Sequence, residues 1–96
     1  MARISDADME ARKLKVVRYL YESSDQRGAV VVSRARMMHD LRLSPAQLRA
    51  VFAHIEKAGM IRTFPRYAEN GGRCENEYYV TSRGVNYVRL SRSRNL

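Results

Sequence analysis

The stretch of sequence that decides the fold runs from residue 43 to residue 59 and reads LSPAQLRAVFAHIEKAG. It predicts a helix with a well-marked start, because Ser44 suits the N-cap and Pro45 suits the first helical position. Gln47 stands three residues after Ser44, which is the spacing of a capping box. Gly59 marks the end, since glycine readily adopts the left-handed backbone that follows many helices.

Within this helix the apolar residues recur at intervals of three and four, which places them on one face. These residues are Leu48, Val51, Phe52 and Ile55. The opposite face carries small and basic side chains, namely Ala46, Ala50, Ala53 and Lys57. Arg49 flanks that face on one side, and Gln47 and His54 flank it on the other. The helix is therefore predicted to bury one face and to expose a partly basic one.

The segments before this helix predict three further elements. Apolar residues at helical spacing favour a first helix over about residues 5–22, and a β-branched run favours a short strand at 30–32. Ser33 is a plausible N-cap for a short second helix over 34–40. A tight turn at 41–43 then leads into the third helix, and the two helices form a helix-turn-helix.

The segments after it predict a β-hairpin and a last helix. Strand-forming residues cover 60–67 and 75–81, with a loop built on Asn70, Gly71 and Gly72 between them. The last helix is predicted over 82–91. We expect one α+β domain over residues 1–96, with an N-terminal helix (1–23), a helix-turn-helix (33–58), a wing hairpin (60–81) and a C-terminal helix (82–91).

Three segments in this order resemble the winged helix-turn-helix DNA-binding family: LSPAQL at 43–48, IEKAGMIR at 55–62 and YYVTSRG at 78–84. The similarity covers about residues 30–90. It is as close to the multiple-antibiotic-resistance and phenolic-acid regulator types as to small archaeal winged-helix DNA binders that dimerise through an added helix. The resemblance implies a three-helix core, a wing hairpin in a sheet of two or three strands, and double-stranded DNA as the partner.

One residue departs from the family pattern at the turn between the two helices. Arg42 stands where a glycine is frequent. If this position requires a positive φ, arginine costs about 1 kcal/mol relative to glycine. The alternative is a turn of different geometry.

The position of the basic residues supports nucleic-acid binding more than their number does. The chain has 18 Lys and Arg against 10 Asp and Glu, a net charge of +8. Residues 33–66 hold seven bases and two acids, whereas residues 1–32 hold six bases and five acids. The excess of positive charge therefore lies on the segment that carries the helix-turn-helix. Arginine, which forms most of it, suits bidentate contact with phosphate and guanine.

The winged-helix resemblance and this charge together predict a DNA-binding set. Its members are Arg34, Arg36, Ser44, Ala46, Gln47, Arg49, Ala50, His54, Lys57, Arg62, Arg66 and Arg73. Gln47 and Arg49 are expected to read base edges and Lys57 to meet phosphate. The arginines of the second helix are expected to hold phosphate, and those of the hairpin to reach the minor groove. The alternative is that these side chains form ordinary solvated surface.

Apolar residues on the first and last helices exceed what one small domain needs. They predict a homodimer interface formed by Leu14, Val17, Tyr21, Tyr87 and Val88. The alternative is that the two helices pack on each other within one subunit.

Several function classes lack support. Paired carboxylates, a nucleophile motif and a phosphate-cradling glycine loop are all absent, so we expect neither an enzyme nor a cofactor. His39 and His54 have no third ligand nearby, so no metal is expected. The single Cys74 is an incidental thiol or, alternatively, the site of an intersubunit disulfide or redox role.

The longest aliphatic run is four residues (29–32) and the N-terminus resembles no leader peptide, so we expect a cytoplasmic protein with no membrane partner. The function predicted is sequence-specific binding of double-stranded DNA by a homodimeric transcriptional regulator. The alternatives are a winged-helix protein-interaction module and a non-specific, chromatin-type DNA binder.

Overall fold

The computed structural model describes residues 6–72 and 75–94 of the chain. Across them run the elements α1 (Asp6–Ser23), β1 (Ala29–Val31), α2 (Arg34–Leu41), α3 (Pro45–Lys57), β2 (Ile61–Phe64), β3 (Glu77–Val80) and α4 (Ser82–Arg94). The predicted α+β class and the predicted order of elements are confirmed. The predictions on Arg73 and Cys74 lie outside the described residues.

The lengths of the later elements differ from the prediction. The hairpin strands are shorter than 60–67 and 75–81, because β2 ends at Phe64. Pro65 follows directly and has no N–H to donate to a neighbouring strand, so the ladder stops there. In contrast, α4 continues past residue 91 to Arg94. No proline or glycine occurs between residues 85 and 94 to interrupt it.

The three strands form an antiparallel sheet in the order β1-β3-β2, with β3 in the centre. Tyr79 pairs with Ala29 on one side and with Arg62 on the other, and Glu77 pairs with Val31 and Phe64. Because paired residues and those two apart share a face, these side chains lie together. The outer sheet face, as we call it, consists of Ala29, Val31, Arg62, Phe64, Glu77 and Tyr79. The inner face is buried against the helices.

The core lies between the inner sheet face and the helices. The rings of Phe52 on α3 and Tyr78 on β3 are 5.3 Å apart, centroid to centroid, and tilted by 45°. α1 contacts α3, α4 and β3, so it closes the core from one side. Its contribution to the core is Val16, Val17 and Leu20, each fully buried. Truncation of a buried aromatic such as Phe52 to alanine typically destabilises a domain by about 3–5 kcal/mol.

The turn between α2 and α3 has the geometry that the sequence raised as a possibility. Arg42 adopts φ 56° and ψ 47°, which is left-handed backbone, and its N–H donates to the Met38 carbonyl. Arginine pays about 1 kcal/mol of strain there relative to glycine. The N–H of Leu43 donates to the same carbonyl at 3.1 Å, so the turn satisfies the end of α2 and delivers the chain to Ser44.

The predicted start and end of α3 are confirmed. The Ser44 Oγ accepts from the Gln47 N–H at 3.1 Å, and the Gln47 Oε1 accepts from the Ser44 N–H at 2.9 Å. This is a complete capping box with Pro45 in the first turn. Gly59 has φ +75°, as expected of the residue that ends the helix.

The end of α3, the start of β2 and the start of α4 meet at one junction. The Thr81 hydroxyl donates to the carbonyls of Gly59 and Met60 and accepts from the Gly84 N–H at 3.2 Å. A Cβ at Gly84 would lie 2.3 Å from the Met60 carbonyl oxygen. Only glycine therefore allows α4 to approach β2 this closely. The junction fixes the wing and α4 relative to α3.

Candidate nucleic-acid interface

The outward face of α3 is exposed along its whole length. Ala46, Ala50, Ala53 and Lys57 are all exposed on it, and Arg49 is exposed beside it. The opposite face is buried, with Leu48, Val51, Phe52 and Ile55 each at most 1% exposed. A helix with three small outward residues and two basic side chains can lie close to a polyanion, because nothing bulky holds its backbone away.

Two residues of the predicted DNA-binding set, Ser44 and Gln47, form the N-terminal cap of α3. Gln47 is half-buried, and its Oε1 accepts the Ser44 N–H in the capping box. Bidentate reading of adenine uses both the oxygen and the amide N–H of a glutamine. The closed cap therefore uses one of the two acceptor positions of the Gln47 oxygen and fixes the orientation of its amide. The Ser44 Oγ accepts the Gln47 N–H in the same cap, and its own O–H remains able to donate.

His54 lies on the flank of α3 opposite Arg49. A hydrogen bond from Lys13 at 2.8 Å is the largest cause that lowers the pKa of the Glu10 carboxyl on α1, and His54 contributes least to that shift. The same carboxylate accepts the Tyr87 hydroxyl at 3.2 Å. His54 is exposed. It is separated from Arg49 by the outward face.

The arginines that begin α2 are exposed, and both have partners within the chain. The Arg34 guanidinium stands over the ring of Phe52 at 4.8 Å from its centroid, a cation–π contact that covers the core. The Arg36 Nε donates to the Asp40 Oδ2 at 3.0 Å. Because Tyr19 and then Arg36 donate to it, the Asp40 carboxyl has a pKa below its ordinary value. The Arg36 charge is therefore balanced locally.

Arg62 and Arg66, the two described arginines of the wing, lie at different places on it. Arg62 lies at the base of the wing on the outer sheet face, directly opposite Tyr79. Arg66 is exposed beyond the end of β2. Arg62 also borders a cleft with Arg83, the second residue of α4, whose Nη1 donates to the Ala58 carbonyl at 3.2 Å. The sequence prediction omitted Arg83, since nothing in the local pattern brings the start of α4 beside β2.

Part of the predicted dimer interface is wrong. Val17 and Val88 are completely buried in the core of the subunit, so neither can contact a partner. Leu14, Tyr21 and Tyr87 are half-buried. The α1 and α4 helices contact each other within the subunit, which is the arrangement that the sequence left as the alternative. Apolar periodicity shows that a helix face is buried, but it does not show against which chain.

Two further findings bear on the kind of site. Within residues 6–72 and 75–94, no three or more His, Cys, Asp or Glu residues are grouped so that they could hold a metal ion. None of the helices in that part of the chain is both long enough and apolar enough to cross a membrane.

The chain contains a helix-turn-helix, formed by α2 and α3, and an antiparallel sheet whose first strand precedes it. A β-hairpin follows directly after α3. The fold is a winged helix. In it, α3 is the second helix of the helix-turn-helix, and β2 and β3 belong to the wing. Several solved structures have the same arrangement of helices and strands over nearly the whole length of this chain. No protein-family model matches the sequence, and no curated protein does so either.

Three solved structures show the similarity of fold. A PadR-like transcription factor from Bacteroides fragilis has a TM-score of 0.68 at 10% identity, over 93% of this chain and 84% of that one. A transcriptional regulator from Clostridium thermocellum has a TM-score of 0.63 at 22% identity, over 94% and 87%. The circadian clock associated protein Pex from Anabaena has a TM-score of 0.57 at 16% identity, over 90% and 78%. At these identities the likeness extends to the fold alone.

Proposed function

We propose that the protein is a transcriptional regulator that binds double-stranded DNA with the outward face of α3 in the major groove. The observation that carries this proposal is the exposed face of small residues flanked by Arg49 and bearing Lys57. In winged-helix and helix-turn-helix proteins the second helix of the motif enters the groove with its exposed face. Two of the three structural neighbours carry names of transcription factors or regulators, which supports the same role.

Two residues have distinct tasks in this proposal. Arg49 contacts a guanine edge, where its planar fork can make two hydrogen bonds, and Lys57 contacts phosphate. Arg34 and Arg36 are exposed at the start of α2. Since Arg34 also stacks on Phe52, its guanidinium is held in a defined position from which its outer N–H groups can reach a phosphate.

The test is a salt titration of binding to duplex DNA by the full chain. Arg49→Gln is expected to weaken a selected duplex about tenfold or more, because a bidentate arginine–guanine contact is worth about 1–3 kcal/mol. Lys57→Gln is expected to reduce the slope of log K against log salt by about one phosphate contact. Arg27→Gln, which removes an equal charge from the loop before β1, is the matched control and should bind like the wild type.

The outcome that contradicts the proposal is unchanged affinity in Arg49→Gln and Lys57→Gln, or no duplex binding even at low salt. The first result would favour the protein-interaction module. Selection of bound sequences from random duplexes addresses specificity. One enriched palindrome is expected of a sequence-specific regulator, and no enrichment would favour the chromatin-type binder.

We also propose that the protein acts as a homodimer through α1 and α4. Leu14, Tyr21 and Tyr87 keep part of their surface exposed, and Leu90 on α4 is 61% exposed. Sedimentation equilibrium is expected to give a dimer for the wild type and a monomer for Leu14→Glu with Leu90→Glu. A wild-type monomer at micromolar concentration would contradict this part.

A further inference from the structure

Large aromatic side chains are exposed on one side of the winged helix. Phe64 is 47% exposed and Tyr79 is 39% exposed, and both belong to the outer sheet face. Tyr67 is 64% exposed just beyond the end of β2. A group of exposed apolar side chains on a protein surface frequently marks a binding site. None of these rings belongs to the outward face of α3, so the proposed duplex-binding surface does not explain them.

Beside these rings lies a cleft of about 750 Å³ at the root of the wing. It is lined by Gly59, Arg62, Phe64, Tyr79, Thr81, Ser82 and Arg83. A cleft of this volume falls within the range of ligand-binding sites in proteins. Both aromatic rings therefore border the same concave surface as two arginines.

The arginines of the cleft are available to a ligand. The Arg62 side chain makes no hydrogen bond or ion pair with the part of the chain that the structure describes. Arg83 uses Nη1 to hold the Ala58 carbonyl at 3.2 Å, which fixes its guanidinium at the edge of the cleft. The lining contains no acidic residue. The cleft is therefore complementary to a negatively charged molecule.

The rings are placed to accept flat groups. Tyr79 leans on the backbone of Gly28, where a Cβ would lie 3.4 Å from the ring Cε2. Phe64 and Tyr79 are diagonal neighbours on adjacent strands, because Tyr79 pairs with Arg62, two residues before Phe64. Diagonal neighbours lie about 7–8 Å apart, which leaves both rings within reach of one extended ligand.

We propose that the cleft and these rings bind single-stranded nucleic acid, with bases stacked on Tyr79 and Phe64 and phosphates held by Arg62 and Arg83. A single strand offers unpaired ring faces and regularly spaced negative charge, the two features that this surface complements. A duplex keeps its ring faces stacked inside and offers the outer sheet face phosphates only. This activity is separate from the proposed recognition of duplex DNA by α3.

The outer sheet face also carries an acid, Glu77, which pairs with Phe64. Its charge opposes that of Arg62 and weakens the attraction for phosphate. Glu77→Gln is therefore expected to tighten single-strand binding about twofold to threefold, an effect that a neutral-peptide ligand would not show.

The experiment is fluorescence anisotropy of the full chain with a 12-nucleotide oligo(dT), which cannot pair with itself, and in parallel with a duplex. Phe64→Leu with Tyr79→Leu keeps the apolar area and removes both rings. It is expected to weaken oligo(dT) binding about tenfold or more, because stacking contributes about 1–3 kcal/mol per base, and to leave duplex binding within twofold. Arg49→Gln removes one arginine from α3 and is expected to do the reverse.

Other outcomes overturn the inference. One is the absence of oligo(dT) binding at low salt. Another is an equal loss of affinity for oligo(dT) and for the duplex in the double leucine variant or in Arg49→Gln, because a single surface would then bind both nucleic acids. Tighter binding of an acidic, tyrosine-containing peptide than of oligo(dT) would identify a protein partner instead. If the double leucine variant fails to fold by circular dichroism, Arg62→Gln provides the test, because it replaces an exposed side chain and should still weaken oligo(dT) severalfold.

Failure of this inference is distinguishable from failure of the proposed function. Duplex binding that depends on Arg49, without any oligo(dT) binding, would leave the α3 proposal intact. Oligo(dT) binding that depends on Phe64 and Tyr79, without duplex binding, would leave the single-strand inference intact.

Discussion

The start of α3 and the junction at its end are held together in different ways. At the start, Ser44 and Gln47 cap each other within four residues of chain. At the end, the Thr81 hydroxyl reaches Gly59 and Met60, about twenty residues away in sequence. The first region is formed by neighbours and the second by distant segments that must arrive together. One helix can therefore have one end determined by neighbouring residues and the other determined by the fold.

The largest expected effect is on the junction. Gly84→Ala should destabilise the protein by about 3 kcal/mol, since the new Cβ would lie 2.3 Å from the Met60 carbonyl oxygen and 2.9 Å from Val80 Cγ1. In an open helix the same change stabilises by about 0.5–1 kcal/mol, so the sign of the result is decisive. Urea denaturation measures it.

The matched control for that substitution is Gly71→Ala. Gly71 has φ +85°, and a Cβ added there would meet nothing within 4 Å, so backbone strain alone acts at this position. We expect a loss of about 1 kcal/mol. If Gly84→Ala were no worse than this control, the close approach of α4 to β2 would not be a determinant of the fold.

The next effect concerns the locally determined end of α3. Ser44→Ala should destabilise by about 1 kcal/mol through loss of the cap, and Ser44→Thr should retain most of that stability. The free energy of unfolding from urea titration checks both. If Ser44→Ala lowered the free energy of unfolding as much as Gly84→Ala does, the start of α3 would not differ from the junction in its importance for stability.

A smaller effect of opposite sign is expected between the two helices of the motif. Arg42→Gly should stabilise by up to about 1 kcal/mol, because it releases the left-handed strain at φ 56°. Arg42→Ala removes the same guanidinium and keeps the strain, so it is the control and should show no gain. Equal melting temperatures for the two variants would count against strain at this turn.

The smallest effect is a pH dependence at the contact between α1 and α4. Burial and then the Glu10 charge raise the pKa of Tyr87 from 10 to about 12. The neutral hydroxyl is therefore favoured in the folded state, and its contribution is complete below pH 10 and lost as pH rises towards 12. Stability should fall less across this window in Tyr87→Phe than in the wild type. Parallel curves from denaturation at each pH would argue against the Glu10–Tyr87 contact.

The candidate site was predictable where exposure follows from helical periodicity. Arg49, Lys57 and the small residues of α3 are exposed because they lie away from an apolar face that the spacing of residues predicts. Two assignments on the same helix needed the structure. Gln47 serves the cap with its oxygen, and His54 adds a small contribution to the lowered pKa of Glu10, whose largest cause is Lys13. Periodicity gives the direction of a side chain from its own helix but not the neighbours that it meets.

The neighbours of side chains on the outer sheet face were even less predictable from the sequence. Alternation along β2 and β3 is consistent with one exposed side, but the register that sets Tyr79 opposite Arg62 depends on how the strands pair. Arg83 lies beside Arg62 only because the start of α4 meets the end of α3, where Arg83 donates to the Ala58 carbonyl. These residues are far apart along the chain, so no local pattern unites them.

The sequence by itself determined the order of elements and both ends of α3, because helix caps and a terminal glycine act between residues a few positions apart. The tertiary structure alone decided that Val17 and Val88 belong to the core of the subunit rather than to a partner. It also decided which arginines and aromatic rings share a surface. The physical reason is that burial and cross-strand pairing depend on what the rest of the chain places nearby, and an amphipathic pattern states only that something must cover its apolar face.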